Sequence, residues 1–183
     1  VNRLWLYRQH QAKAKQLEAI ITIGRELVTT RELQSVLDSI TDEARNLMGC
    51  RVCAIFLLNS DGESLRLSSL SGVKGLSDYR ENLRVEDSSV GVAINRKKQV
   101  AVWDLAKTEE HHFIDLTQSE GLVSLLATPI LFEDEAIGVL NAYTDTPHRF
   151  NNDEKRVFST LASLGAVAIE NSRLYSRVFS SED

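Results

Sequence analysis

The sequence predicts an α+β domain built on one antiparallel sheet, and three observations lead there. Apolar strand-like runs follow one another through tight turns, which makes neighbours antiparallel. Amphipathic helices stand at both ends of the chain and must cover one face of that sheet. The central runs are apolar on both faces, so short mid-chain helices and the irregular stretch 72–121 must cover the other. Loops and short helices cover a sheet imperfectly, and a small-molecule cavity is expected there.

Residues 4–28 read as the first helix. Leu17, Ile20, Gly24 and Leu27 follow the stepping of a coiled-coil seam, which Ile21 and Val28 widen. Thr29 with Glu32 has the spacing of a capping box. The helix after it shows an apolar face of Leu33, Val36, Leu37, Ile40, Ala44, Leu47 and Met48, and Gly49 ends it. "RVCAIFLLN" (51–59) is a strand buried on both faces, and Ser60-Asp61-Gly62 turns the chain into its hairpin partner "ESLRLSSLS" (63–71).

Residues 72–87 read as polar and irregular. "SSVGVAINRKK" is a short helix with Ser88 or Ser89 as N-cap, and "QVAVW" (99–103) is a short strand. "EEHHFIDLTQSEG" (109–121) is a loop leading into a short helix that Gly121 stops. "LVSLLATPILF" (122–132) and "EAIGVLNAYT" (135–144) are long strands separated only by Glu133-Asp134. Pro129 cannot donate to a ladder, so a bulge or bend is expected there. Gly138 weakens its strand unless something must come close, and Asn141 is a polar amide inside an apolar run.

One long helix, 152–179, closes the chain, with Asn151 and Glu154 as a second capping box. It carries two stripes. Val157, Leu161, Leu164, Ala168, Asn171, Tyr175 and Val178 form a heptad seam, and Phe158, Ala162, Gly165 and Ile169 form a second face. A helix apolar on two sides needs two partners. One is its own sheet. The other is the same helix of a second copy, with Asn171 fixing register, or the helix 4–28 of its own chain, and a four-helix bundle accommodates both. The expected dimer seam is Leu17, Ile20 and Leu27 with Val157, Leu161, Leu164, Ala168, Asn171, Tyr175 and Val178.

The chain has 183 residues, 43% of them hydrophobic, and a net charge of −5 from 21 basic and 26 acidic residues. Without a basic cluster, nucleic acid is a poor partner. Two cysteines make no disulfide scaffold, and a reducing, cytoplasmic setting is expected. The chain has no initiator Met, the only Met being Met48, so a piece of a longer protein is expected. No apolar run is long enough to cross a membrane. Trp5 and Tyr7 before Arg8, Lys13 and Lys15 resemble the cytoplasmic exit of a membrane span, against the simpler reading of an amphipathic helix start.

"LATPILFEDEAIGVLNAYTDTPHRFNNDEKRVFSTLASLGAVAIENSRLY" resembles the C-terminal half of a GAF domain, in its small-residue-Pro strand, its Ile-Gly-Val-Leu strand and the "RF..DE" that leads into a helix ending "AIENSRLY". "SSVGVAINRKKQVAVWDL" is similar to the family's middle helix and strand. The resemblance covers residues 29–175, leaving 1–28 as an N-terminal signalling and dimerisation helix. It implies a PAS-related antiparallel sheet of five or six strands. It also implies a regulatory, non-enzymatic module in signalling proteins such as sensor kinases or cyclic-dinucleotide enzymes, with helix 152–179 running to an absent output domain.

Each ligand subtype of the family needs its own residues. Asn95-Arg96-Lys97 and Phe150 with Asp153-Glu154 are similar to the cyclic-nucleotide pattern, but the Lys is displaced and the second spacing is short by one. Covalent bilin needs a Cys where this chain has Glu110-His111-His112. His111 and Asp115 could share a metal at i, i+4, yet no third ligand is evident, so metal or haem is a lesser alternative. Cys50 and Cys53, read on a strand's period of two, point to opposite faces and are structural; one such pair cannot hold an iron–sulfur cluster. No nucleophile elbow, P-loop, GxGxxG or HExxH occurs. Candidate ligand-binding residues are Phe56, Ser88, Ser89, Val90, Gly91, Trp103, Asp104, His111, His112, Phe113, Thr117 and Asn141. The ligand is unidentified. A ligand-free dimerising spacer and a sulfoxide reductase-like enzyme are the alternatives.

Overall fold

A computed structural model describes residues 2–29, 32–74, 82–107 and 115–180. Helices α1 (Asn2–Thr29), α2 (Leu33–Met48), α3 (Ser89–Arg96), α4 (Asp115–Ser119) and α5 (Asn152–Ser180) accompany strands β1 (Val52–Leu58), β2 (Ser64–Ser71), β3 (Asn82–Arg84), β4 (Val100–Val102), β5 (Ser124–Phe132) and β6 (Glu135–Thr144). The strands form one sheet in the order β3-β2-β1-β6-β5-β4, every pair antiparallel. Two hairpins therefore sit side by side, joined where β1 pairs with β6.

Turn chemistry fixes the hairpins. Asp61 Oδ1 accepts from the backbone N–H of Glu63 and Ser64 at 2.9 and 3.0 Å, while Gly62 takes φ 71°. These bonds hold the exposed Asp61 carboxyl below its usual range. Glu133 and Asp134 both adopt positive φ, 48° and 64°, as a two-residue hairpin of matching twist requires. The irregularity expected at Pro129 lies one step further on. Pro129 pairs with Val139, and the register shifts between Ile130 and Leu131, leaving Ile137 of β6 as the extra residue. A second bulge on β2 lets Leu67 and Leu70 share one face while Ser69 and Ser71 turn to α2.

Two apolar layers fill the domain. Cys53, Ile55, Leu57, Leu126, Ile130 and Leu140 meet Ile23 of α1, Leu37 and Ile40 of α2, and Phe158, Leu161 and Ile169 of α5. Val52, Ala54, Phe56, Leu125, Ala127, Val139 and Tyr143 meet Val90, Ala93 and Ile94 of α3 and Leu116 of α4 on the other face. The terminal helices thus share one side and the short helices the other.

The two capping-box spacings turn out differently. Asn151 and Glu154 form the expected box: Glu154 N donates to Asn151 Oδ1 at 2.8 Å and Asn151 N to Glu154 Oε1 at 2.9 Å. Thr29 is no cap, because α1 runs through it. Glu32 is the N-cap of α2, and its side chain accepts no backbone N–H. The stretch read as irregular also holds β3 and a 3₁₀ turn, Val85–Asp87. No described helix is long and apolar enough to cross a membrane.

Candidate ligand-binding site

The site is built from β6 outward. Asn141 lies on the face of β6 that also carries Val139 and Tyr143, toward α3 and α4. It is fully buried. Its Nδ2 donates to Tyr143 Oη at 3.2 Å, whereas Oδ1 has no partner. An unpaired buried carbonyl costs about 1–3 kcal/mol, so a core strand gains nothing by keeping it. Across the sheet, Asn141 stands opposite Ala54 of β1 and Ala127 of β5.

Gly138 explains itself nearby. A Cβ there would sit 2.6 Å from the carbonyl oxygen of Phe56, so only glycine lets β6 approach β1 beside its bulge. Gly91 acts in the same way on α3, where a Cβ would fall 1.6 Å from Val85 O. Phe56 and Val90 are buried walls of this layer. Ser88 is the N-cap of α3, its Oγ accepting from Gly91 N at 3.0 Å. Ser89 is buried, and its Oγ has no partner. Thr117 is buried on α4, and its carbonyl accepts from Leu122 N at 2.9 Å.

Two candidates lie at the margin. Trp103 is 44% exposed and lies beneath the Arg149 guanidinium, 4.6 Å from ring centroid to Cζ, a cation–π contact. Asp104 Oδ1 accepts from Ala106 N at 3.0 Å, and its other oxygen faces Lys107 at 3.8 Å. His111, His112 and Phe113 lie outside the described residues, as does the His111 half of the metal pair considered with Asp115. Among the described residues no cluster of three His, Cys, Asp or Glu side chains forms. The sequence reading missed Tyr143, Ala54 and Ala127. The i, i+2 spacing of Asn141 and Tyr143 on one strand was the available signal.

The cysteines require a correction. Cys50 precedes β1 rather than lying in it, so the strand period does not apply to the pair. Both thiols sit in the layer under the terminal helices and share a hydrogen bond. That bond from Cys53 lowers the Cys50 thiol below its usual value against the opposing effect of burial, and burial first, then Cys50, raises Cys53 well above its own.

Along the expected seam, Leu161 and Ala168 are buried in the chain's own core, with Leu27, Val157 and Leu164 packed against it. Ile20 is half-buried. Leu17, Asn171, Tyr175 and Val178 are exposed. The first half of the seam on α5 is therefore packing within one chain, of the kind weighed against a dimer.

A sheet with terminal helices on one face and short helices over an unpaired polar group on the other is the build of a sensory or regulatory module. The chain belongs to the GAF family, whose model, described as GAF domain, matches residues 30–170. No curated protein matches the sequence. Among solved structures, the GAF domain of a phosphoenolpyruvate-protein phosphotransferase from Coxiella burnetii is 18% identical, with 90% of this chain and 98% of that one covered and a TM-score of 0.80. The GAF domain of the corresponding Acinetobacter protein is 21% identical over 88% and 97%, with a TM-score of 0.74. Free methionine-R-sulfoxide reductase from Neisseria meningitidis, solved with its substrate, is 18% identical over 87% and 91%, with a TM-score of 0.74.

Proposed function

We propose that this GAF domain is a non-enzymatic, ligand-responsive module of a longer signalling protein, homodimeric through α1 and α5. A small molecule enters between the sheet and α3 and α4, and its preference for one arrangement of the terminal helices biases an output domain beyond α5. The observation that carries this reading is the unpaired Oδ1 of Asn141, buried at the centre of the sheet beneath short helices. A relay is at hand: Leu140 and Ala142, beside Asn141 on β6, belong to the layer that α5 covers. Support for a second copy comes from apolar side chains left on the surface of α1 and α5: Leu17, Ile21, Val167, Leu174 and Val178.

A reductase reading, prompted by the Neisseria structure, meets an obstacle. The chain has two cysteines, and both lie in the layer on the other side of the sheet from Asn141. Native mass spectrometry of freshly purified protein, with a thermal-shift screen, tests the sensor reading. A ligand at 100 times its Kd is expected to add about 2.7 kcal/mol of stability. No bound mass and no shift with any nucleotide, amino acid, bilin, haem or neutral aromatic would favour the ligand-free spacer.

A further inference from the structure

We propose that the molecule taken by this site is small, uncharged and largely apolar, and donates one hydrogen bond to Asn141 Oδ1. The inference rests on reading the face between sheet and short helices as a ligand site. The register gives it a shape. Ala54 and Ala127 flank Asn141 in one row across β1, β6 and β5, while the next row, Val52, Tyr143 and Leu125, carries larger side chains. Side-chain volume is therefore smaller in the row where the amide stands than in the row beside it. Tyr143 takes the N–H end of that amide, and the oxygen end is left unpaired.

The roof repeats the pattern. On α3, Ser89 stands one helical turn before Ala93, on the side packed against the sheet, and α3 lies over β5 and β6. The Ser89 hydroxyl is buried and also lacks a partner. Two polar atoms on facing elements thus remain unpaired in a largely apolar layer. Charge decides the rest. The buried polar residues among those described are Ser, Thr and Asn, with no acid or base. Among the described residues a charged ligand would lose its hydration there and meet no buried counter-charge, whereas a neutral donor would satisfy Asn141 at little desolvation cost.

Phenol, anisole and benzoate test the three parts of this inference, because they share a ring and differ in donor and charge. Their Kd values are measured by NMR titration on the wild-type chain and on Asn141→Leu. Phenol is expected to bind at least about tenfold more tightly than anisole, and benzoate not at all. Asn141→Leu removes the unpaired oxygen together with the Nδ2 bond to Tyr143, and it is expected to bring the phenol-to-anisole ratio close to one. The wild-type comparison stands even if the variant fails to fold. Wild type that prefers benzoate or anisole, or an unchanged ratio in Asn141→Leu, overturns the inference. A charged hit from the wider screen without phenol binding also overturns it and leaves the sensor reading intact, while no hit of any kind overturns both.

Discussion

Gly91 Cα packs so closely on the backbone of Val85 that a Cβ would lie 1.6 Å from its carbonyl oxygen. This contact ties α3 to the 3₁₀ turn before it and sets the height of the helix above the sheet. A backbone oxygen cannot yield as a flexible side chain would. Gly91→Ala must move α3, and it is expected to cost about 1–3 kcal/mol in urea unfolding and to abolish ligand-induced thermal shifts. An unchanged unfolding midpoint would show that α3 has room to spare.

On α5, interior and surface are separable by substitution. Leu161 is fully buried among the helices and sheet, so Leu161→Ala is expected to destabilise the chain by about 2–5 kcal/mol. Leu174 and Val178 are each 56% exposed, so replacing both with Glu should leave the chain folded while converting the proposed dimer to monomer in sedimentation. Glu at Val157 or Leu164 is a poorer test of association, because both pack against the chain's own core. A double variant that remains dimeric would remove α5's exposed stripe from the interface.

Much of this architecture could be read from residue patterns, because periodicity reports which side of an element is buried. The reciprocal pair Asn151 and Glu154, the turn at Glu133-Asp134 and the two stripes of α5 follow directly from spacing. Where reading failed, the deciding contact was long-range or a phase change. Thr29 and Glu32 had cap spacing, yet α1 continued through Thr29. The alternation rule placed Cys50 and Cys53 on opposite faces, and the chain had not yet entered the strand at Cys50. Of the site, Asn141 announced itself as a polar residue in an apolar run. Its small flanking residues could not be seen, because register between strands far apart in sequence is not written in either strand alone.

The turn at Asp61 makes stability depend on acid. Its carboxyl is held low, first by the N–H of Glu63 and then by the hydroxyl and N–H of Ser64. A folded value below the unfolded one means that the contribution is present above the unfolded value, about 3.9, and is lost as pH falls through the folded value. Asp61→Ala is therefore expected to lower Tm at neutral pH and to flatten the acid limb of Tm against pH below about 4. An acid limb identical to wild type would show that these bonds persist equally in the unfolded chain.

The thiol pair offers a test of local geometry. Because Cys53 donates to Cys50, the proton lost first belongs to Cys50, and Cys53, buried and facing that thiolate, holds its own far longer. Thiolate absorbance followed against pH in the folded protein is expected to rise in a first step below the usual thiol range. Cys53→Ala removes the donor and leaves burial opposing ionisation, so that step should move to higher pH. Cys53→Ser keeps a donor at the same place and should restore most of the low-pH step. If Cys53→Ala titrates like wild type, the lowered value comes instead from the backbone N–H of Cys50 and, more weakly, from Arg45.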